Sequence, residues 1–466
     1  MVDLAGDVTG IPVRKRIWGW YFFDWASQPY STLLLTFIFG PYFAQVAAGQ
    51  MVAAGADPEV ARANAQAYWG YGLTAAGIVI ALLAPILGAV SDNTGRRMPW
   101  VRLFSALYIV GAAGLWWTAP ADFSVIWALV FFGIGMIGME FATIFTNAFL
   151  PSLADKEESG RISGDGWAFG YLGGVAALVI MLAFFQATDF GKTIAGFDPL
   201  FGLSTETRAD TRVVGPFTAL WYVVFMVPFF LYVRDIPVVA SGSRGLSDSL
   251  RELLGTIKSL PKRRSFFAYL GSSMLYRDAL NGLYTFGGIY ALGVLGWSVV
   301  QVGIFGIIGA ISGAAFCVVG GRLDRAFGPK PVIVGSCVVL MLTAAFIISL
   351  TPTSIIGIPV VAGSSLPDTM FFVAGALVGG AGGTLQSSSR NMLTRQGKAE
   401  RMTEAFGLYA LSGKATTFLA PLLIGVTSQM TGSQRLGVLP LVVLFLLGLI
   451  LLLWVKADGD TGEGTS

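Results

Sequence analysis

The sequence contains no histidine and only two cysteines, and each shortage narrows what the chain can do. Without histidine, imidazole metal ligands, imidazole proton relays and serine–histidine catalytic triads are excluded. Cys317 and Cys337 both lie in apolar segments, so neither a disulfide framework nor a thiolate metal site is indicated. We therefore expect that the protein is not an enzyme and that it holds no cofactor and no metal ion.

Charged residues are also scarce. They make up 12% of the sequence, whereas 55% of the residues are hydrophobic and 60 are glycine, which excludes an ordinary soluble globular protein. A helix needs about 20 apolar residues to cross the hydrocarbon core of a bilayer, and on that rule we predict twelve spans. The first is predicted near residues 18 to 46 and the eleventh near residues 404 to 429. The expected fold class is an all-α polytopic membrane protein, in contact with the lipid bilayer.

The cations are distributed unevenly between the two sides of these spans. With the N-terminus placed in the cytoplasm, only five of the 30 Lys and Arg residues fall in outer segments, and Arg277 and Lys414 fall inside spans. All the others fall on the inner side, which is the bias that fixes orientation. We therefore expect both termini in the cytoplasm. This topology also explains the basic residues without nucleic-acid binding.

Two short segments, residues 88–97 and 320–330, lie half a chain apart and share one pattern. Each follows a long apolar segment, places an Asp four residues after a Gly, and then turns at a second Gly into one or two cations. A repeat of this length in an apolar chain indicates a duplicated membrane bundle. We expect a six-helix bundle at 1–233, a cytoplasmic linker at 234–264, and a second six-helix bundle with a short cytoplasmic tail at 265–466.

The repeated pattern suits a hinge on the cytoplasmic side. Its first Gly lets a neighbouring helix approach closely, and its Asp can pair with a helix end or with a cation across a gap. An ordinary turn flanked by cations would explain one copy, but not two copies in register. We expect Asp92 to act with Arg96 and Asp324 with Arg325, and we assign to this conformational latch Gly88, Asp92, Gly95, Arg96, Arg97, Asp324 and Arg325.

This pattern resembles the cytoplasmic loop that joins helices 2 and 3 in transporters of the major facilitator superfamily and recurs between helices 8 and 9. The resemblance implies two six-helix bundles related by a pseudo-twofold axis. It also implies secondary transport by alternating access, with a solute site at mid-membrane between the bundles. In the superfamily, helices 1, 4, 7 and 10 line that site.

Polar residues recur along one face of the first predicted span. Tyr21, Asp24, Gln28 and Ser31 fall at helical spacing in an otherwise apolar segment. A carboxylate within a span costs about 2.5 to 3.5 kcal/mol on insertion scales, so Asp24 requires a partner, water or a function. Either this face lines a cavity, or Asp24 lies near the inner interface and pairs with a basic loop.

Further ionisable side chains lie within predicted spans, and each has two explanations. Glu140 is either a solute or proton site or the structural partner of Lys414. Arg277 and Asp278 form either a neutral internal pair or a zwitterion site, in which Arg277 receives a carboxylate and an acid receives an ammonium. Arg390 is expected to extend to lipid phosphates. We assign solute binding to Asp24, Gln28, Glu140, Asn147, Arg277, Asp278, Asn281, Gln386 and Lys414.

The fifth predicted span is rich in glycine. Gly166, Gly170 and Gly174 are spaced by four residues, which gives a smooth surface for close helix packing rather than for solute contact. Antiporters of the superfamily also have a glycine-rich fifth helix, but theirs carries a Gly-Pro step that is absent here. Antiport is therefore not indicated.

Several segments together resemble one branch of the superfamily, the autophagy-related vacuolar amino-acid effluxers and their bacterial relatives. These segments are residues 23–26 with Tyr30, 163–174, 386–390, and 406–415 with 432–435. The resemblance implies export of neutral amino acids, and the length matches a prokaryotic member of an inner or plasma membrane. Residues 96–100, Arg-Arg-Met-Pro-Trp, also resemble sugar:cation symporters of the melibiose type, so a sugar stays an alternative.

These observations together predict a secondary active transporter for a small polar solute, acting as a monomer. Coupling to a proton or another cation stays open, and without histidine a coupling proton must use a carboxylate. A non-transporting sensor with a transporter fold is the main alternative. A membrane-embedded enzyme, such as a lipid transferase, would need a nucleophile–base pair or a metal cluster, for which the sequence offers few residues.

Overall fold

The computed structural model describes residues 10–188, 191–235, 246–297, 299–361 and 363–460. Within these residues, eleven helical segments are long and apolar enough to cross a membrane by length and composition, and α7 is a further helix of 30 residues. In chain order the twelve are α1 (Val13–Ala53), α2 (Pro58–Thr94), α3 (Met98–Gly114), α4 (Val125–Asn147), α5 (Ser159–Ile180), α6 (Ala209–Tyr232), α7 (Arg264–Gly293), α8 (Val299–Phe327), α9 (Pro329–Ser349), α10 (Leu366–Gln396), α11 (Ala399–Thr431) and α12 (Gln434–Leu452).

The helices form two six-helix bundles, α1–α6 and α7–α12. At one face of the molecule α1 begins and α12 ends, and we call it the terminal face. Here Asp235, just after α6, accepts hydrogen bonds from the first backbone N–H groups of α3, at Arg97 (2.9 Å) and Met98. Asp460, after α12, does the same for α7 at Ser265 (3.1 Å). The first amides of a helix have no intrahelical acceptor, and in both bundles an aspartate that follows the last helix supplies one.

Buried tyrosines hold the cores of both bundles together. In the first bundle the rings of Tyr108 and Tyr222 stack at 3.9 Å, and the hydroxyl of Tyr30 donates to the backbone carbonyl of Phe132. In the second, Tyr269 and Tyr276 both donate towards Ser389 of α10. Each phenol thus buries a large apolar ring and satisfies its hydroxyl. Large aliphatic side chains on the outer faces, such as Leu82 and Ile126, are exposed, as lipid contact requires.

Two spans are irregular. In α1 the α-helix ends at Pro29, which has no backbone N–H, and the chain continues as a π-helix over Tyr30–Phe37. In α11 the helix Met402–Ala415 stops, and a second helix begins at Leu419, although the sequence predicted one continuous span. Thr416 and Thr417 occupy this break, and β-branched residues favour helices weakly.

A small antiparallel sheet was not predicted. Between α9 and α10, strands β1 (Leu350–Thr351), β2 (Ser354–Ile355) and β3 (Ile358–Pro359) form a three-stranded meander, with Leu350 opposite Ile355. Strands of two residues leave no periodicity that a sequence pattern can detect. The protein is otherwise helical within the part of the chain that the structure describes.

The predicted linker contains one amphipathic helix, Leu246–Ser259, which packs against α2. Residues 236–245 of the linker lie outside the described residues. The bundle boundaries at 233 and 264 therefore stay predictions.

Candidate functional site

Arg390, in the last third of α10, is the centre of a polar network that joins the two bundles. Its Nη1 lies 2.9 Å from Oδ2 of Asp24 on α1 and 3.2 Å from Oδ1 of Asn147 on α4. Its Nε donates to the hydroxyl of Ser163 on α5, and its Nη2 donates to the carbonyl of the same residue at 2.6 Å. The residue is 4% exposed. We call these four residues, with Arg390 among them, the Arg390 network.

Aromatic rings and a glycine shape the space around the guanidinium. Arg390 lies 4.5 Å from the ring of Trp20 and 5.6 Å from that of Trp167, which adds cation–π attraction on both sides. A Cβ at Gly166 would lie 2.8 Å from the Asp24 carboxylate and 3.1 Å from the Arg390 guanidinium. Any side chain at Gly166 would therefore clash with the ion pair, and glycine avoids this clash. A Cβ at Gly170 would lie 3.2 Å from the Asp24 carbonyl and one at Gly174 2.5 Å from the Thr32 hydroxyl, as close helix packing predicts.

A second ion pair crosses between the bundles. Nζ of Lys414 on α11 lies 2.7 Å from Oε1 of Glu140 on α4. The side chains are 18% and 25% exposed, so the pair is partly accessible. Of the two explanations for Glu140, the structure shows the pairing with Lys414.

Arg277 of α7 rests on α11 without a carboxylate partner among the described residues. Its guanidinium lies 4.1 Å from the centre of the Tyr409 ring, and Nη1 donates to the Tyr409 carbonyl at 3.0 Å. A Cβ at Gly413 would lie 2.6 Å from the same Nη1, so α11 has no side chain where the guanidinium lies. Arg277 is half-buried and keeps donors that this carbonyl does not use.

The other predicted site residues are scattered. Asp278 is 2% exposed and faces Thr416 of α11. Asn281 is exposed one turn further along α7. Gln386 donates to the Tyr171 hydroxyl at 3.4 Å, which joins α10 to α5. Gln28 is half-buried and packs where Gly174 of α5 approaches α1.

At the terminal face, the end of α2 meets the start of α11 of the other bundle. The Asp92 carboxylate accepts hydrogen bonds from the backbone N–H groups of Thr403 (3.2 Å) and Glu404 (2.8 Å), and pairs with Arg97 at 3.2 Å. A carboxylate at this position is favoured by the helix dipole. A Cβ at Gly88 would lie 2.6 Å from the Thr403 carbonyl, as close helix approach predicts.

The predicted partner of Asp92 was therefore wrong. Arg97 makes the ion pair and also donates to the Thr403 hydroxyl at 2.9 Å, whereas Arg96 is exposed and forms no ion pair among the described residues. The reason is the turn at Gly95, whose positive φ of 65° reverses the chain so that the second cation, not the first, faces Asp92.

The second copy of the pattern contacts α5 in the corresponding way. Asp324, at the end of α8, accepts from Nδ2 of Asn391, whose side-chain carbonyl accepts from Ser159 at the start of α5. Arg325 pairs with Glu158 of the other bundle at 2.8 Å rather than with Asp324. The expected action of Asp324 with Arg325 is thus replaced by two separate contacts across the interface.

Sequence reasoning placed Asp24 and Asn147 in the site but missed their partner. Arg390 was assigned to lipid phosphates because it lies near the end of its span, and Ser163 was not considered. The signal lay in Ser387, Ser388 and Ser389, which make that turn of α10 too polar for lipid contact; all three are at most 1% exposed.

Two corresponding contacts, α2 with α11 and α8 with α5, join the two six-helix bundles at the terminal face. Two networks of charged side chains lie deeper in the interface. This is the architecture of a major facilitator superfamily transporter, and twelve helices in two pseudo-twofold-related bundles are confirmed. A solved structure of the human organic anion transporter MFSD10 (TETRAN) superimposes with a TM-score of 0.69 at 17% identity, and the match covers 95% of this chain and 99% of that one.

Within the superfamily, the chain belongs to the family described as vacuole effluxer Atg22 like, whose model matches residues 13–463. YxiO of Bacillus subtilis (strain 168), an uncharacterized MFS-type transporter, is 25% identical over 444 residues, which are 95% of each chain. Autophagy-related protein 22 of Yarrowia lipolytica (strain CLIB 122 / E 150) is 24% identical over 333 residues, 66% of this chain and 52% of that protein.

Proposed function

We propose that the protein moves a small polar solute across the membrane by alternating access, with the solute bound in the interface between the bundles. The observation that carries the proposal is that two ion pairs, Arg390 with Asp24 and Lys414 with Glu140, join opposite bundles within membrane-spanning helices. Buried charges are expensive in a membrane, and they persist where they face a partner or a polar cavity. Pairs formed between bundles can break and form again as the bundles rock.

The solute class that suits this interface carries a carboxylate, and we propose an amino acid. Arg277 offers guanidinium donors that no described carboxylate uses, and a guanidinium binds a carboxylate through two parallel hydrogen bonds. The Tyr409 ring supports it from one side. The family description of a vacuole effluxer is compatible with transport of such a solute out of a compartment.

The closed terminal face is the cytoplasmic face in this proposal, because the cations of the sequence are concentrated on that side. The Asp92 and Asp324 contacts would then form the latch that keeps the cytoplasmic side shut while solute enters from the other side. We further propose that the protein acts as a monomer in an inner or plasma membrane. Its bundles would comprise residues 1–233 and 265–466, with the linker between them.

Flux into liposomes tests this function. A thermal-shift panel of amino acids, sugars and small carboxylates on the purified protein selects candidates, and radiolabelled candidates are then followed in proteoliposomes. We expect uptake of an amino acid that Arg277→Gln abolishes or shifts to much higher concentration. The matched control, Arg322→Gln, removes an exposed cation from α8 and should leave uptake unchanged.

Uptake of a sugar but of no amino acid would contradict the solute class and favour a melibiose-type activity. Ligand binding without any flux would contradict transport itself and favour a sensor. Equal loss of uptake in both variants would contradict the role of Arg277.

A further inference from the structure

Two enclosed polar groups meet between α7 and α11, outside the contacts assigned to solute. Oδ2 of Asp278 is buried and makes no hydrogen bond of ordinary geometry among the described residues. Oγ1 of Thr416 is likewise enclosed, and its hydroxyl faces this carboxyl group within hydrogen-bonding reach. Thr416 follows the last residue of the first helix of α11, so the pair lies at the point where α11 is interrupted.

The cations near this part of α7 are engaged elsewhere. Arg277, next to Asp278 on α7, directs its guanidinium to the carbonyl and ring of Tyr409. Lys414 of α11 pairs with Glu140, Arg390 of α10 with Asp24, and Arg435 of α12 donates to the Ile348 carbonyl. The neighbouring phenol of Tyr276 is bonded to Ser389. Among the described residues, no group forms an ion pair with Asp278.

An ionised carboxylate in this position would be buried and without an ion-pair partner among the described residues, with only the Thr416 hydroxyl facing it as a donor. Removing such a charge from water is unfavourable by far more than one hydrogen bond can offset. A protonated carboxyl group has no such penalty, because its O–H can donate to the Thr416 hydroxyl and so satisfy both enclosed atoms. The geometry thus favours the neutral acid in this conformation.

We propose that Asp278 is the proton-binding site of the transporter and that it carries a proton while α7 and α11 are packed as they are here. The proposal rests on the transport function proposed above. The break in α11 gives the site its mobility, since the Thr416 segment can move without unwinding either helix of α11. When this segment moves away, Asp278 meets water and releases its proton.

The adjacent Arg277 links this proton to the solute. While Asp278 is neutral, the guanidinium has no carboxylate competitor and is free to bind the carboxylate of a solute. Once Asp278 is ionised, its charge lies one residue away from Arg277 and attracts the same guanidinium. Solute and proton are therefore bound and released together, which predicts movement of both in the same direction.

Infrared difference spectroscopy of the full chain in lipid tests the proton site without any solute. A protonated carboxyl group gives a C=O stretching band that a carboxylate lacks. We expect this band at neutral pH in the wild type, its loss in the isosteric Asp278→Asn variant, and its retention in Asp198→Asn, which removes an exposed carboxylate. Thr416→Val should keep the band but shift its frequency, because it removes the hydrogen-bond acceptor. A wild-type spectrum that equals the Asp278→Asn spectrum in this region would overturn the assignment.

Proteoliposomes with an imposed pH gradient test the coupling, with a radiolabelled mixture of neutral L-amino acids as the probe. We expect the gradient to drive accumulation by the wild type and by Asp198→Asn, but not by Asp278→Asn. Gradient-driven accumulation in Asp278→Asn equal to that of the wild type would overturn the coupling. If the wild type shows no flux of any solute, the proposed function fails together with the coupling, and the infrared band still decides whether Asp278 holds a proton.

Discussion

The guanidinium of Arg390 lies 2.9 Å from the carboxylate of Asp24, although the two residues come from opposite bundles. The same guanidinium donates to Asn147 and twice to Ser163, so one side chain of the second bundle is bonded to three helices of the first. This contact joins the two bundles within their membrane-spanning helices. Its strength should therefore influence both the stability of the protein and the ease with which the bundles separate.

Neutralising one member of this pair should destabilise the protein, and neutralising both should not add the two effects. Asp24→Asn leaves a buried guanidinium without its counter-charge, for which about 3 to 5 kcal/mol is typical. Arg390→Gln leaves the buried Asp24 carboxylate without its counter-charge in the same way. In the double variant neither side chain of this pair carries a charge. Its thermal unfolding midpoint in detergent should therefore exceed that of the less stable single variant. Strictly additive losses would contradict a direct interaction.

Reversing the charges of the second pair should be tolerated only when both are reversed. Glu140→Lys places two ammonium groups together, and Lys414→Glu places two carboxylates together, within the membrane. Each single variant should lose folded, monodisperse protein. The double variant restores an ion pair of the same length and should recover part of that loss. A double variant no better than either single variant would show that the contact is incidental.

The terminal-face contact should depend on Arg97 and not on Arg96. Asp92→Asn and Arg97→Gln both remove the ion pair at the start of α11, whereas Arg96→Gln removes an exposed cation of the same turn. With a cysteine introduced at Ser91, which is buried at the end of α2, in a Cys317→Ser/Cys337→Ser background, the labelling rate reports how often this face opens. Faster labelling is expected for the first two variants and an unchanged rate for the third. Equal rates in all three would contradict the latch.

Packing between α5 and α8 should control closure at the other half of the interface. A Cβ at Gly164 would lie 2.4 Å from the Cys317 carbonyl, so Gly164→Val keeps these helices apart, whereas Gly77 has open space around it. Cysteines at Glu158 and Arg325, whose side chains meet at 2.8 Å, should be joined readily by a short bifunctional thiol cross-linker in the otherwise cysteine-free background. Gly164→Val should slow this reaction and Gly77→Val should not. An unchanged rate with Gly164→Val would mean that closure does not require this contact.

The sequence was sufficient for the architecture because spans and repeats are local patterns. The length of apolar segments predicted twelve helices, and the Gly88 and Gly320 copies predicted two related bundles. Asp24 stood out because a carboxylate is rare in such a segment. Its partner could not be found in this way, since Arg390 is 366 residues away and only the packing of α1, α5 and α10 brings them together.

The errors have the same origin. Helical spacing shows which side chains share a face, but not which helix that face meets. Arg277 and Asp278 were therefore assigned to solute together, and only the packing shows that α11 contacts them through Tyr409 and Thr416 in two different ways. Arg96 was preferred over Arg97 because the reversal of the chain at Gly95 cannot be resolved to a single residue from the sequence.

The central claim is that the two bundles rock about this interface, and distance measurements on both faces test it most directly. Spin labels at Thr94 and Lys398 report the terminal face, and labels at Ala54 and Met430 report the opposite face, all four positions being exposed. For the protein in lipid, we predict that a transported solute or a change of pH shifts the two distance distributions in opposite directions. Distributions that stay fixed, or that lengthen together, would contradict alternating access.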